Sequence, residues 1–302
     1  MELTSNQFEI LVYLDNNKGD KCSQRILATE LDISLGVVNK VLSELIERKL
    51  LLNVSSSKYE VTDEGYKTLE QYKVKRAVFL AAGFGSRLVP ITLNTPKPLI
   101  MVHGKKIIET LLDAVVAAGI NEIYIVRGYL GEQFSILKEK YPTIQFIENK
   151  IYNEANNISS ALLVKDLLEN AYVLESDLYL YNPKLIRKYE YTTNYLGRTV
   201  EFTDDWCFKT KKGYISELKV GGKKVDHMYG ISYWNSIDGK KMATDIEKLF
   251  NMPGGKERYW DEVALREFIS NYQVRVKQCK ESDIIEIDTF NELKQIDPIY
   301  NV

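Results

Sequence analysis

"KRAVFLAAGFGSRLVPITLNTPKPL", residues 75–99, decides how the chain is read. It opens as an apolar strand and breaks into a turn that carries Gly83 and Gly85, with Arg87 directly behind them. Further on, Lys97 stands between Pro96 and Pro98. Glycines after a strand let backbone N–H groups approach a phosphate chain or a base, because no Cβ intervenes. A dinucleotide fingerprint would need a third glycine where Leu88 stands and an acidic residue about twenty positions on, a region that here reads "MVHGKK" and is basic. A phosphate loop of the Gly-Lys-Ser/Thr type is not supplied by Ser86–Arg87. The remaining reading is a turn for a nucleoside triphosphate, with Arg87 as a forked cation and Lys97 as a second positive charge. A plain tight turn is the structural alternative.

Downstream, strand and helix patterns alternate. "AVFLAA", "EIYIVRGY", "IQFIEN" and "AYVLESDLYLY" read as strands. "KKIIETLLDAVVAAG", "GEQFSILKEKY" and "ISSALLVKDLLEN" read as helices between them. Such alternation predicts an α/β fold with a parallel sheet covered by helices on both faces. Ligands in such folds bind beyond the carboxyl ends of the strands, where "GFGSR" would lie.

Upstream, residues 1–72 have a different pattern. "SNQFEILVYLDNN" suits a short amphipathic helix, and "SQRILATELDISLGVVNKVLSELIERKLL" gives two helical patterns separated by "DIS", with Ser34 as a cap. "LLNVSSSKYEVT" reads as two short strands around a serine turn, and "DEGYKTLEQY" returns to helix. This order is similar to a winged helix domain of bacterial regulators and predicts domains at 1–72 and 73–302. A DNA-reading version would place Ser34, Val37, Asn39, Lys40 and Ser43 near a groove, with Lys58 on the wing. Eight Lys/Arg face twelve Asp/Glu in this segment, a balance of −4, and Glu44 and Glu47 lie on the would-be recognition helix. That charge argues against nucleic acid as partner and for a dimerisation or regulatory module.

The whole chain of 302 residues, 45% hydrophobic and 27% charged, is ordinary for a soluble globular protein of two domains. Its net charge of −2 offers no general attraction to nucleic acid or anionic membrane. Cys22, Cys207 and Cys279 are too widely spaced for a disulfide framework or a zinc site. An acidic, polar N-terminus and the lack of a long apolar run lead us to expect a cytoplasmic protein.

"LAAGFGSRLVPITLNTPKPLI" closely resembles the signature of nucleotidyltransferases that join a nucleoside triphosphate to a sugar or alcohol phosphate. "GYLGEQFSILKEKY", "YNEANNISSALLV", "GISYW", "RYWDE" and "IIEIDTFNEL" are similar to stretches of the bacterial CTP:phosphocholine cytidylyltransferases within that family. The resemblance runs from about Lys75 to the C-terminus and implies a Rossmann-like nucleotidyltransferase domain with a mixed, mainly parallel sheet and a small subdomain for the acceptor. It implies CTP and phosphocholine as substrates, with phosphoethanolamine or 2-aminoethylphosphonate, then a sugar 1-phosphate, as alternative acceptors. A transcription regulator that only senses a nucleotide is the alternative outside the enzymes. Nucleotidyl transfer needs divalent cations, so Mg²⁺ is expected, and Asp177 and Asp288 match the family's metal pair. Strand alternation puts Glu175 on the face of Asp177 and Glu286 on that of Asp288, as alternates. Arg87 and Lys97 would hold the triphosphate. Ala82, Gly83, Gly85, Tyr129, Asn157 and Ser159 would surround the nucleotide.

For the acceptor, "DDWCF", "HMYGISYW" and "RYWDE" concentrate aromatics, most of which must serve the core. A trimethylammonium head offers no hydrogen-bond donor and is best held by aromatic faces with a carboxylate. Trp206, Tyr259, Trp260 and Asp261 are the candidates. The two histidines, His103 and His227, stand in no catalytic arrangement, which suits a reaction whose attacking oxygen is already ionised. A homodimer through the first domain is the expected assembly.

Overall fold

The computed structural model describes residues 2–55 and 57–301, and the chain falls into two units, Met1–Lys73 and Val74–Val302. In the first, helix α1 (Ser5–Asn16) begins at a capping box in which the Thr4 hydroxyl accepts from the Gln7 N–H and the Gln7 side chain accepts from the Thr4 N–H. Ser23 and Ser34 cap helices α2 (Gln24–Glu30) and α3 (Leu35–Glu47). A hairpin of β1 (Leu51–Ser55) and β2 (Lys58–Val61) follows, then helix α4 (Asp63–Glu70). Along α3, Val38, Val41, Leu42 and Leu45 are buried at helical spacing, while Asn39, Lys40 and Ser43 stay exposed.

The second unit is built on β3 (Arg76–Ala81), the apolar strand before the glycine turn. After a short pair, β4 (Met101–Val102) and β5 (Lys105–Lys106), come α5 (Ile107–Ala117), β6 (Glu122–Arg127), β7 (Ile144–Glu148), α6 (Ile158–Leu163), β8 (Ala171–Glu175) and β9 (Leu178–Leu180). Two long strands, β10 (Asn194–Lys211) and β11 (Tyr214–Trp234), precede α7 (Ser236–Phe250), β12 (Arg275–Gln278), β13 (Ile284–Glu286) and α8 (Phe290–Ile296). The main sheet has the order β10-β12-β11-β8-β3-β6-β7. Strands β8, β3, β6 and β7 run parallel, whereas β11 is antiparallel to β8 and β10, so the sheet is mixed. Among the described residues no helix is long and apolar enough to cross a membrane.

Alternate residues of β3 serve opposite faces, as the strand period of two requires. Ala77, Phe79 and Ala81 join Ile108, Leu111 and Val115 of α5 in one core. Val78 and Leu80 join Ile158 of α6 and Met242 and Ile246 of α7 in the other. From β3 the chain moves to β6 and β7 on one side, then crosses to β8 on the other. The crevice at that reversal opens beyond the carboxyl ends of β3 and β8, and it is where a ligand belongs.

Three local expectations change. "AYVLESDLYLY" is two strands, because Ser176 Oγ donates to the Leu80 carbonyl at 3.0 Å and the chain turns at Ser176–Asp177. β9 then leaves the main sheet and pairs antiparallel with β13. "GEQFSILKEKY" winds as a 3₁₀ helix over Gly131–Glu139, whose period of three buries Phe134 and Leu137 together. The third stretch, "ISSALLVKDLLEN", stays α-helical only over Ile158–Leu163 and tightens to a 3₁₀ turn at Lys165–Leu167. The long β10–β11 hairpin had no motif to announce it. Asp226 and His227 of β11 pair with Thr199 and Arg198 and also with Phe208 and Cys207, so β10 doubles back and the hairpin tip returns to β12, where Tyr214 pairs with Arg275.

Candidate active site

A cavity of about 620 Å³ opens at the carboxyl ends of β3 and β8. Its first wall is the glycine turn. Gly85 has φ +68°, and a Cβ there would lie 3.1 Å from Lys97 Cβ and 3.3 Å from Thr92 Cγ2. Glycine therefore serves twice, for a left-handed backbone and for the passage of the Lys97 stem. The Thr92 hydroxyl donates to the Gly85 carbonyl at 3.0 Å and ties the turn to the loop that carries Lys97. Among the described residues, the N–H groups of Gly83, Phe84 and Gly85 have no acceptor in the protein. They leave donors for an anion at the strand end.

Lys97 reaches across the cavity floor. Its Nζ donates to Asp177 Oδ2 at 2.9 Å and to Asp288 Oδ1 at 2.8 Å. Arg87 donates to the same Asp288 oxygen at 2.8 Å. The Lys97 side chain is only 9% exposed, against 65% for Arg87, so its charge acts with little screening. Burial pulls the Lys97 ammonium down, but Asp177 and Asp288 outweigh it and hold the group above its ordinary range. The ion pairs join residues 80 and 191 positions apart, which no local pattern announces.

Asp288 arrives by way of β13. The Ile287 N–H donates to the Asp177 carbonyl at 3.3 Å, and α8 begins directly afterwards at a capping box of Thr289 and Glu292. Glu292 also accepts from the Asp288 N–H at 2.8 Å, which fixes the backbone of that aspartate. Carboxylate oxygens of Asp177, Glu286 and Asp288 all lie within 4.8 Å of one another. Asp177 Oδ1 is buried with no hydrogen-bond partner among the described residues. Three converging carboxylates, one with an orphaned oxygen, fit a hard divalent cation. The two alternates separate: Glu286 belongs to this group and Glu175 does not, because the turn after β8 ends the alternation that would have put Glu175 beside Asp177. Burial first, then Asp177 and Asp288, push the Glu286 carboxyl well above its usual range. Burial, then Asp261 and Asp177, do the same to Glu175.

Trp206, Leu218, Met228, Tyr259 and Asp261 also line the cavity. Trp206 and Tyr259 meet edge to face at 5.6 Å. The Arg266 guanidinium lies 5.3 Å over the Trp206 ring and is salt-bridged to Glu262. Asp261 accepts from the buried Tyr195 hydroxyl, and burial pushes its carboxyl up to about 7 although that hydrogen bond pulls it down. His227, expected to have no part, shares a hydrogen bond with the Thr203 hydroxyl at 3.0 Å and stands in a second acidic group with Asp205 and Glu286.

Arg87, Lys97, Asp177, Asp288, Ala82, Gly83, Gly85, Asn157, Ser159, Trp206, Tyr259 and Asp261 thus line one cavity. Two expected residues do not. Trp260 is 1% exposed and packs against Tyr195 and Trp234 in the core, since its neighbours in sequence take the cavity side. Tyr129 braces the turn from behind: its N–H donates to the Ala82 carbonyl at 3.1 Å and its hydroxyl to the Thr92 carbonyl at 2.8 Å. Asn157 keeps its place, but its amide is engaged within the protein. It donates to Glu175 at 3.3 Å and accepts from the Trp260 N–H at 2.8 Å. Asn149, which no motif singled out, donates to Ser159 and Ser160, both at 2.9 Å.

Residues 76–186 match the family model described as Nucleotidyl transferase. The chain is similar to the 2-aminoethylphosphonate cytidylyltransferase of Lancefieldella rimae, 35% identical over 74% of this chain and 92% of the relative. It is also similar to the choline-phosphate cytidylyltransferase of Streptococcus pneumoniae, 32% identical over 74% of this chain and 97% of the relative. The solved structure of CTP:phosphocholine cytidylyltransferase from Streptococcus pneumoniae superposes with a TM-score of 0.70 at 33% identity, covering 75% of this chain and 99% of that one.

Proposed function

The chain belongs to the nucleotidyl transferase family and is a nucleotidyltransferase, and from that premise we propose that it transfers the cytidylyl group of CTP to phosphocholine, giving CDP-choline and pyrophosphate. One observation carries the choice of acceptor. The cavity is lined by the carboxylates of Glu175, Asp177, Asp205, Asp261, Glu262, Glu286 and Asp288, and by only two cations, Arg87 and Lys97. Glu262 is answered from outside by Arg258 and Arg266. The remaining surplus favours ligands that bring positive charge, a divalent cation beside Asp177 and a cationic head on the acceptor. A sugar 1-phosphate brings none at its far end. Phosphocholine brings a fixed cation, and Trp206 and Tyr259 offer aromatic surface for it.

Asp177, Asp288 and Glu286 would hold Mg²⁺, which would neutralise the triphosphate. The protein's own part is positioning and charge. The turn at Gly83–Gly85 presents N–H donors to the phosphates. Lys97 and Arg87 offset charge that builds on the departing pyrophosphate. An oxygen of the acceptor's phosphate forms a bond to the α-phosphorus of CTP as the bond to the β-phosphate bridging oxygen breaks. That oxygen is already ionised near neutral pH, so no general base is required.

A second acceptor, 2-aminoethylphosphonate, is favoured by the Lancefieldella relative and by Arg266, whose guanidinium already lies over one face of Trp206. A primary ammonium would draw on the carboxylates rather than the rings. For residues 1–72 we propose a winged helix serving dimerisation or regulation. The support is the order of three helices, a hairpin and a fourth helix, and the Lys40–Glu44 pair at 3.9 Å that answers the charge of Lys40.

Pyrophosphate release, measured with four nucleoside triphosphates crossed against phosphocholine, phosphoethanolamine, 2-aminoethylphosphonate and glucose 1-phosphate, tests the assignment. The expected maximum is CTP with phosphocholine. A maximum with 2-aminoethylphosphonate favours the second acceptor, and one with glucose 1-phosphate rejects both.

A further inference from the structure

Glu175 is a carboxylate without an employer in the chemistry described so far. It ends β8 and lines the cavity, yet it stands apart from the three carboxylates that converge on one point. Among the described residues no cation lies within salt-bridge distance of it. Its one hydrogen-bond partner among the described residues is the Asn157 amide, which donates to Oε1 at 3.3 Å. A buried carboxylate is costly when unanswered, and a protein rarely keeps one unless something else supplies the charge.

The surroundings are shaped for that carboxylate. A Cβ at position 230 would lie 2.4 Å from Glu175 Oε2 and 2.7 Å from its Cβ, so any side chain on β11 at Gly230 would drive the group out of place. Asn157 holds it from the other side while its own carbonyl oxygen accepts from the Trp260 N–H, which links Glu175 to the segment carrying Tyr259 and Asp261. Asp261 is the nearest rival for a counter-charge, but it is 3% exposed and takes the Tyr195 hydroxyl. Oε2 of Glu175 is left with no hydrogen-bond or ion-pair partner among the described residues.

We infer that Glu175 is the specificity-determining counter-charge for the acceptor's ammonium head, with Asn157 as its positioning residue and Gly230 as the clearance that lets it stand there. This rests on the cytidylyltransferase assignment above. The rings of Trp206 and Tyr259 give the head an apolar surface, and Glu175 makes the pocket reject acceptors whose head is neutral.

The test compares the wild type with Glu175→Gln and Gly230→Ala, using CTP with phosphocholine, 2-aminoethylphosphonate and the neutral 2-hydroxyethyl phosphate. Glu175→Gln keeps the shape and the Asn157 contact while removing the ionisable group, and it should leave the melting temperature unchanged or higher. KM for the two cationic acceptors should rise about tenfold or more, the scale of one charge-assisted contact, while KM for CTP moves less than about threefold. The preference in kcat/KM for phosphocholine over 2-hydroxyethyl phosphate should fall by the same factor. Gly230→Ala should repeat the pattern with the carboxylate still present. An unchanged acceptor preference, or a KM for CTP that climbs in step with that for the acceptor, overturns the inference while the parent activity stands. Wild-type protein that turns over no cationic acceptor with CTP overturns both.

Discussion

Asp177→Ala lowers CTP-dependent pyrophosphate release by about three orders of magnitude, and Asp288→Ala does the same, since several kcal/mol of charge stabilisation rest on each anchor of the cation. The expectation comes from the orphaned Asp177 Oδ1 and from its convergence with Asp288 and Glu286. Steady-state turnover at saturating Mg²⁺, with circular dichroism to verify the fold, reads the effect. Turnover near that of the wild type in either variant rejects the assignment. Glu286→Gln provides an internal control for the third carboxylate, and its loss should be smaller if two anchors suffice.

Lys97→Ala lowers kcat/KM by at least about a hundredfold, the scale of removing one preorganised donor from a transition state. The neighbouring Arg87 does not compensate, because it is 65% exposed and its charge is screened. Lys97→Arg restores little. The stem passes so close to Gly85 that even a Cβ there would crowd it, and a planar fork cannot take the place of a compact ammonium between two carboxylates at 2.9 and 2.8 Å. Alanine also leaves Asp177 without a cation and Asp288 with the exposed Arg87 alone. The melting temperature of Lys97→Ala should therefore gain more from added Mg²⁺ than that of the wild type does. If both variants turn over like the wild type, Lys97 is a loop residue and no more.

How far the sequence could be read varied from residue to residue. The parallel core was legible because buried strands such as "AVFLAA" are apolar on both faces and alternate with helical patterns. The Gly83–Gly85 turn, Arg87, Lys97, Asp177 and Asp288 stood out as motifs, and all five line one cavity. Adjacent residues were harder. Tyr259, Trp260 and Asp261 are neighbours in sequence, and only packing against Tyr195 and Trp234 puts the middle one in the core. Strand alternation misled at Glu175, because the strand ends there, two residues before Asp177, and Ser176 turns to donate to the Leu80 carbonyl. Gly230 sits in an ordinary strand pattern, and its meaning appears only when Glu175 is found where its side chain would be. The β10–β11 hairpin escaped for a similar reason: its register shifts at Thr203–Trp206 break the period that would have announced it.

The most direct test is identification of the product. Purified protein incubated with CTP, phosphocholine and Mg²⁺ should yield CDP-choline by mass spectrometry, with one pyrophosphate released for each molecule formed and none in the absence of acceptor. Pyrophosphate or CMP produced without acceptor, or a nucleotide conjugate formed faster from another triphosphate than from CTP, would contradict the account.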